Sequence, residues 1–268
     1  MNDPDSVHDA PVRRVAAQST TAQRRGAIVV GASSGIGAAL VRRLVREGYT
    51  VGAVARRGDL LDALQEEMKL EPGRVVPLVH DVGQVDEVGP AFATLAQEVG
   101  QLEFFVYAAG VMPAVEAQEY NTEKDQLQVQ VNLMGAMAWC NQAAMLFHSQ
   151  RSGTLIGIGS IAGDRGRKGN PAYHATKAGL ATYLESLRNR LSEVGVHVLT
   201  VKPGFVDTPM TAGLEGLFWV ISADKAAETI LASARRRFWN TRYVPLRWWA
   251  VGMVIRSIPS FLFKRMNI

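Results

Sequence analysis

Two side chains in the run P-A-Y-H-A-T-K can do chemistry together: Tyr173 and Lys177, spaced four apart, with Ser160 thirteen residues before the tyrosine. If a helix opens here, positions four apart project from one face about one turn from each other. Pro171 is a natural residue for the first helical turn. An ammonium beside a phenol favours the phenolate and draws its pKa down from a free value of about 10. A phenol tuned in this way can give a proton to a carbonyl oxygen or take one from an alcohol. Ser160, arriving from another element, can hydrogen-bond the same oxygen. Taken alone, Tyr-x-x-x-Lys is an ordinary surface helix pair, so the motif acquires chemistry only with a cofactor site upstream.

The elements that would carry such a site are legible as an alternation. Short apolar, β-branched runs at residues 26–30, 50–55, 75–79, 102–107, 155–159 and 196–201 read as buried strands. Helical runs at 38–47, 59–70, 84–99, 121–148 and 172–193 separate them. The β-α-β-α-β order predicts a single α/β domain: a doubly wound, parallel, Rossmann-type sheet with helices on both faces and its ligand at the carboxyl ends of the strands. At 47% apolar and 20% charged over 268 residues, the chain can bury a substantial core.

Between the first strand and the first helix stands Gly31-Ala-Ser33-Ser34-Gly35-Ile36-Gly37. Glycines there allow a tight turn and let a pyrophosphate approach the positive helix N-terminus; the plainer reading is a tight β–α turn. At the end of the second strand, where an acidic residue would meet an adenosine ribose, stand Arg56 and Arg57. They suit a 2′-phosphate and predict NADP(H) over NAD(H), against two merely solvated arginines. Asp81, followed by Val82, ends the third strand and can accept a hydrogen bond from an adenine amino group or cap a turn. Ala108-Ala109-Gly110 turns beneath the cofactor. Asn132 lies in the 121–148 helix, where a buried amide is more often a satisfied core group. No metal site is expected.

With these motifs in order, residues 26–232 resemble the short-chain dehydrogenase/reductase family in its compact single-domain form. Gly31, Gly35 and Gly37 match the G-x-x-x-G-x-G turn; Asn132, Ser160, Tyr173 and Lys177 match the catalytic tetrad; and Pro203-Gly204 with Thr208, past Val206, matches the P-G motif. The resemblance implies that Tyr173 donates or accepts the proton, that Lys177 binds the nicotinamide ribose, that Ser160 polarises the substrate oxygen and that Asn132 holds a relay water. It further implies that Asp81 contacts adenine, that Thr208 contacts the nicotinamide carboxamide, and that hydride passes between the nicotinamide and a carbonyl carbon. Dimers or tetramers through the helices after strands four and five are also implied. The sequence departs from the pattern in three places: Val30 replaces a threonine, Tyr107-Ala108 replace two asparagines of N-N-A-G, and Ser34 replaces the basic residue of NADP users. The second departure puts the rigidity of the cofactor floor in question; the third leaves the 2′-phosphate to Arg56 and Arg57.

The substrate is approached through three stretches. Phe205, Met210, Leu214, Leu217, Phe218 and Trp219 make an apolar lid, unless they form a small helix packed on the core. Asp164, Arg165, Arg167 and Lys168, between Ser160 and Tyr173, offer cations to a substrate phosphate, although such runs are more often solvated. Of the chain's 29 Lys/Arg and 25 Asp/Glu, eight and none fall in residues 235–268; the remaining 21 and 25 leave residues 1–234 at −4. The basic character therefore belongs to the tail, and nucleic acid is not expected as a partner. Trp239, Trp248, Trp249, Phe261 and Phe263 interleave with those cations, and Pro245 and Pro259 bracket an apolar helix too short to span a bilayer. This composition suits peripheral contact with an anionic membrane surface, with packing on the protein's own sheet or on a partner subunit as the alternative. Together the three stretches point to a lipid-like or lipid-linked carbonyl substrate. The G-D-R-G-R segment and the tail resemble reductases of polyprenyl-phosphate-linked keto-sugars within the family.

Three domains of behaviour are thus expected: a flexible arm over 1–25 with no signal peptide, a catalytic domain over 26–234 and a basic aromatic tail over 235–268. The lone Cys140 excludes an intrachain disulfide and suits a cytoplasmic protein, at the inner face of a membrane if the tail binds one. An extended-branch epimerase is disfavoured, because its G-x-x-G-x-x-G turn and longer substrate domain are missing. A non-catalytic NADP(H) sensor or scaffold would typically lose the tyrosine or lysine that this chain keeps.

Overall fold

The computed structural model describes residues 25–266, so the arm expected at the N-terminus lies, apart from Arg25, outside the described residues. Six strands fall on the six apolar runs: β1 (Arg25–Val30), β2 (Thr50–Ala55), β3 (Arg74–Val79), β4 (Gln101–Tyr107), β5 (Thr154–Ile158) and β6 (His197–Pro203). Two short strands, β7 (Val206–Asp207) and β8 (Ile221–Ser222), pair with each other, and β9 (Thr241–Val244) joins the main sheet beside β6. The main sheet runs β3-β2-β1-β4-β5-β6-β9 with every pair parallel. Its order reverses between β1 and β4, which opens a crevice at their carboxyl ends.

Helices α1 (Gly35–Arg46), α2 (Gly58–Glu67), α3 (Val88–Val99), α4 (Thr122–Val129), α5 (Gly135–Gln150), α6 (Pro171–Leu191) and α7 (Ala223–Arg236) cover the sheet. The central strands are mostly apolar because both faces are buried. In β1, Ala27 and Val29 pack on one side with Leu40 and Leu44 of α1, Leu61 of α2 and Leu231 of α7. Ile28 and Val30 pack on the other with Phe92 of α3, Trp139 and Phe147 of α5 and Leu180 of α6. The period-2 alternation of β1 thus feeds two cores at once.

The structure differs from the sequence reading in three places. The helix expected over 121–148 is interrupted by a π-turn at Gln130–Met134 between α4 and α5. Residues 223–236 form α7, which the alternation does not announce, and the boundary drawn at residue 234 falls inside it. Residues 241–244, read as part of a separate tail, are the seventh strand, and α8 (Trp248–Ser257) and α9 (Ser260–Phe263) follow it. The segment T-R-Y-V is too short and too cationic to stand out from its aromatic, basic surroundings by pattern alone.

Candidate active site

Asn170 opens α6. Its own backbone is left-handed (φ 45°), its side chain accepts from the Tyr173 amide, and Pro171 follows it. The asparagine amide also donates to the Pro113 carbonyl at 2.9 Å, which ties the start of α6 to the loop after β4. Tyr173 therefore sits in the first helical turn and Lys177 one turn on, and both are buried. The Lys177 ammonium donates to the carbonyl of Ile158, at the end of β5, at 3.0 Å and stands 5.7 Å from the centre of the tyrosine ring. Ser160 continues from β5, and its Oγ accepts from the Ala162 amide at 3.0 Å, capping a 3-10 turn over Ile161–Asp164. Gly163 in that turn lies so close to α6 that a Cβ would come within 2.7 Å of the Lys177 carbonyl group.

The electrostatics correct one expectation. Burial raises the Tyr173 phenol, and this outweighs the lowering hydrogen bond with Ser160, so at neutral pH the side chain is held as the acid. Burial instead pulls Lys177 down to about 8. The Lys177 ammonium, expected to stabilise the phenolate, instead donates to the Ile158 carbonyl.

Asn132 lies in the π-turn and is fully buried. Its Oδ1 accepts from the Val111 amide at 2.7 Å, and its Nδ2 donates to the Val111 carbonyl at 2.9 Å and to Thr176 Oγ1 at 3.3 Å. It thus fixes the loop after β4 to α6. Ala109 and Gly110 lie in that loop, and a Cβ on Gly110 would stand 3.3 Å from Asn132 Oδ1 and 3.4 Å from Lys177 Nζ. In sequence, Tyr107, which replaces an asparagine of the family pattern, registers only as a lost amide. Its ring is completely buried, and its hydroxyl donates to the Val131 carbonyl in the π-turn at 2.6 Å. Gly135 makes room for this bond, since a Cβ there would stand 3.0 Å from the hydroxyl. The lost amide is replaced by a phenol that bridges β4 and the π-turn, so the floor is held by another means.

At the glycine turn, the Gly31 and Ala32 amides both donate to the Val54 carbonyl of β2. A Cβ on Gly31 would meet the Ala109 amide at 2.4 Å, and one on Gly37 would meet the Gly31 carbonyl at 2.0 Å, so neither position admits a side chain. Thr208, after β7, lies against Gly35, with its methyl 2.9 Å from where a Cβ would be. Ser34, the N-cap of α1, makes no side-chain cap bond, which leaves the first amides of that helix without a side-chain acceptor. Ile36 packs partly against the core and Val206 is buried. Arg57 donates to both Ser33 Oγ at 2.8 Å and Ser34 Oγ at 2.9 Å, so its guanidinium lies over the turn. Arg56 is also exposed and stands 3.9 Å from Asp81 Oδ2. Asp81 Oδ1 accepts from the Gly83 amide at 2.9 Å, the turn-capping role, while the buried Val82 packs beneath. A tight glycine cradle, an open helix N-terminus and a guanidinium across the two serines fit a phosphate-bearing dinucleotide.

Above the crevice lies the segment from Gly204 to Val220. Met210 Sδ stands 4.0 Å from the Tyr173 hydroxyl, so an apolar side chain borders the reacting position. Pro203 ends β6, and on Gly204 packs Trp248 of α8: a Cβ at residue 204 would meet the indole nitrogen at 1.9 Å. Phe205, Phe218 and Trp219 surround that indole with ring centroids 5.1–5.6 Å away. The cationic cluster expected to meet a substrate phosphate divides. The Asp164 side chain is wholly buried and accepts from Lys202 at 2.5 Å, Arg256 at 2.5 Å and Tyr243 at 2.8 Å. Arg165 donates to the carbonyls of Ile255 in α8 and of Ile258 just after it, and covers the Phe263 ring at 3.9 Å. These two residues hold the tail, which leaves the exposed Lys168 and the half-buried Arg167 as the remaining cations of that cluster.

Comparison with known proteins agrees with this architecture. The sequence profile described as short chain dehydrogenase matches residues 25–216. An uncharacterized oxidoreductase of Myxococcus xanthus is 37% identical over 188 residues, spanning 70% of this chain and 74% of its own. One of Staphylococcus haemolyticus is 33% identical over 187 residues, 70% and 80% respectively. Among solved structures, a short-chain type dehydrogenase/reductase from Mycobacterium ulcerans superposes with a TM-score of 0.75 at 22% identity, over 82% of this chain and 88% of that one. The actinorhodin polyketide ketoreductase solved with NADPH gives 0.74 at 23%, over 82% and 95%. These two likenesses carry the fold, whereas the profile and the closer relatives carry the kinship. On that match the chain belongs to the short chain dehydrogenase family, whose members are NAD(P)-dependent oxidoreductases.

Proposed function

We propose that the protein is an NADP(H)-dependent reductase of an apolar or lipid-linked ketone. The observation that carries this reading is the convergence of Tyr173, Lys177, Ser160 and Asn132 at one end of the sheet, beside a glycine cradle crossed by Arg57. When bound, the nicotinamide supplies or accepts a hydride at the carbonyl carbon. Gly31, Gly35 and Gly37 hold the pyrophosphate against the N-terminus of α1. Arg57, with Arg56 beside it, receives the 2′-phosphate; Ser33 and Ser34 already anchor the guanidinium. Asp81 and Val82 border the adenine, and Ala109, Gly110, Pro203, Gly204, Val206 and Thr208 border the nicotinamide. Ser160 orients the substrate oxygen and Tyr173, held as the acid, gives it a proton. Lys177 replenishes that proton, and Asn132 holds the loop and the relay in place.

The apolar lid, with Met210 beside the phenol, supports a substrate whose carbonyl sits among hydrocarbon. The tail supports delivery from a membrane surface. On α8 the outward stripe is Trp249, Met253 and Val254, continued by Phe261 and Leu262, and Arg247, Lys264 and Arg265 lie among them without one acidic residue. Among the described residues no helix is long and apolar enough to cross a membrane, so the contact would be peripheral. Exposed Leu127, Met134 and Met145 support self-association along α4 and α5 into a dimer or tetramer. Titration with NADPH against NADH, followed by a panel of fatty, steroid and polyprenyl-linked ketones, tests the reading. Tighter NADPH binding with turnover of the apolar ketones supports it; turnover confined to small soluble ketones removes the substrate class.

A further inference from the structure

The cluster around Asp164 is not used by the chemistry, yet it joins three parts of the cleft. Asp164 stands four residues after Ser160. One of its donors, Lys202, immediately precedes Pro203-Gly204; the other two, Tyr243 and Arg256, belong to β9 and α8. The helix crosses the carboxylate at Gly252, where a Cβ would come within 2.7 Å of Asp164 Oδ2. The far end of α8 is fixed by Arg165 on the Ile255 and Ile258 carbonyls. Its near end carries Trp248, packed on Gly204 and among Phe205, Phe218 and Trp219. Trp219 has a left-handed backbone (φ 57°), a conformation a bulky residue keeps only when its surroundings impose it. Those surroundings are the tail: Arg247 covers its ring at 4.8 Å and donates to its carbonyl.

We propose that α8 is the outer wall of the substrate cleft and that Asp164 is the positioning residue that latches it there. Removing one acceptor frees Lys202, Arg256 and Tyr243 together, so the wall and the lid loosen as a unit. The inference rests on the reductase reading only for its kinetic consequence; the mechanical coupling stands apart from it.

The test compares the wild type with Asp164→Asn and, because a buried charge cluster can be intolerant, with Arg256→Gln, whose side chain is half exposed. Hydrogen exchange is followed in residues 204–222 and 247–258, NADPH affinity is titrated, and 2-decanone reduction is assayed. The expected result is faster exchange in both segments together and a ketone KM raised ~10-fold or more with kcat within ~3-fold, at saturating NADPH so that any loss of cofactor affinity through Gly204, Val206 and Thr208 is read separately. Loosening of 247–258 with 204–222 still protected overturns the latch, as does loosening of both with KM unchanged. If the wild type reduces no ketone, the reductase reading fails, and the exchange data alone decide the coupling.

Discussion

At the scale of single residues, burial sets the acid–base character of the site. Tyr173 is raised by desolvation and Lys177 is lowered to about 8, so near neutral pH both hold their protons. Above pH 8 the lysine becomes neutral and ceases to replenish the phenol, so ketone reduction is expected to fall on an alkaline limb near pH 8, measured as kcat against pH. The same shift has a stability consequence of definite sign. A folded pKa below the unfolded 10.5 means that the unfolded chain binds more protons between those values. Stability contributed at this site therefore rises as pH climbs from 8 towards 10.5, and the full cost of the buried ammonium is felt below 8. On the proposed reading, Arg57 carries a preference for NADP(H). Arg57→Ala should weaken NADPH binding by ~10-fold or more while changing NADH binding much less, because the charge-assisted contact to phosphate outweighs the exposed bonds to Ser33 and Ser34 that are lost with it. Equal loss for both cofactors would assign Arg57 to the shape of the turn instead.

At the scale of elements, the π-turn between α4 and α5 decides where Asn132 points, and Tyr107 holds that turn. Tyr107→Phe leaves the Val131 carbonyl buried without its donor, which should cost about 1–3 kcal/mol in chemical denaturation. Turnover should fall with it while NADPH affinity is kept, because the loosened group is Asn132 and not the cradle. The six central strands and the spacing of Ser160, Tyr173 and Lys177 were legible because burial on both faces leaves uninterrupted apolar runs and because α6 is a regular helix. The π-turn was not, since one extra residue in a helical turn alters hydrogen bonding without altering composition. Tyr107 looked like a loss because sequence registers the missing amide but not the carbonyl that a longer side chain reaches. Asp164 and Arg165 looked like a solvated charge run for a related reason. Their partners lie 38 or more residues away, and only the fold brings them together.

At the scale of the molecule, the tail is both more integral and more exposed than its composition suggests. It contributes β9 to the sheet and Trp248 to the lid, yet α8 also turns Trp249, Met253 and Val254 outward. A helix that turns these three side chains outward calls for a partner. Trp249→Glu with Val254→Glu should abolish co-sedimentation with anionic phosphatidylglycerol vesicles and leave NADPH binding intact; unchanged vesicle binding, or a shift in oligomeric state instead, would assign the face to a second copy of the chain. The central claim is that the protein moves hydride to a ketone with Tyr173 as its proton donor. It is tested most directly by following NADPH oxidation with an apolar ketone in wild type and Tyr173→Phe, alongside cofactor titration of both. The account predicts turnover reduced by ~100-fold or more with NADPH affinity preserved; a phenylalanine variant that turns over as fast as wild type would contradict it.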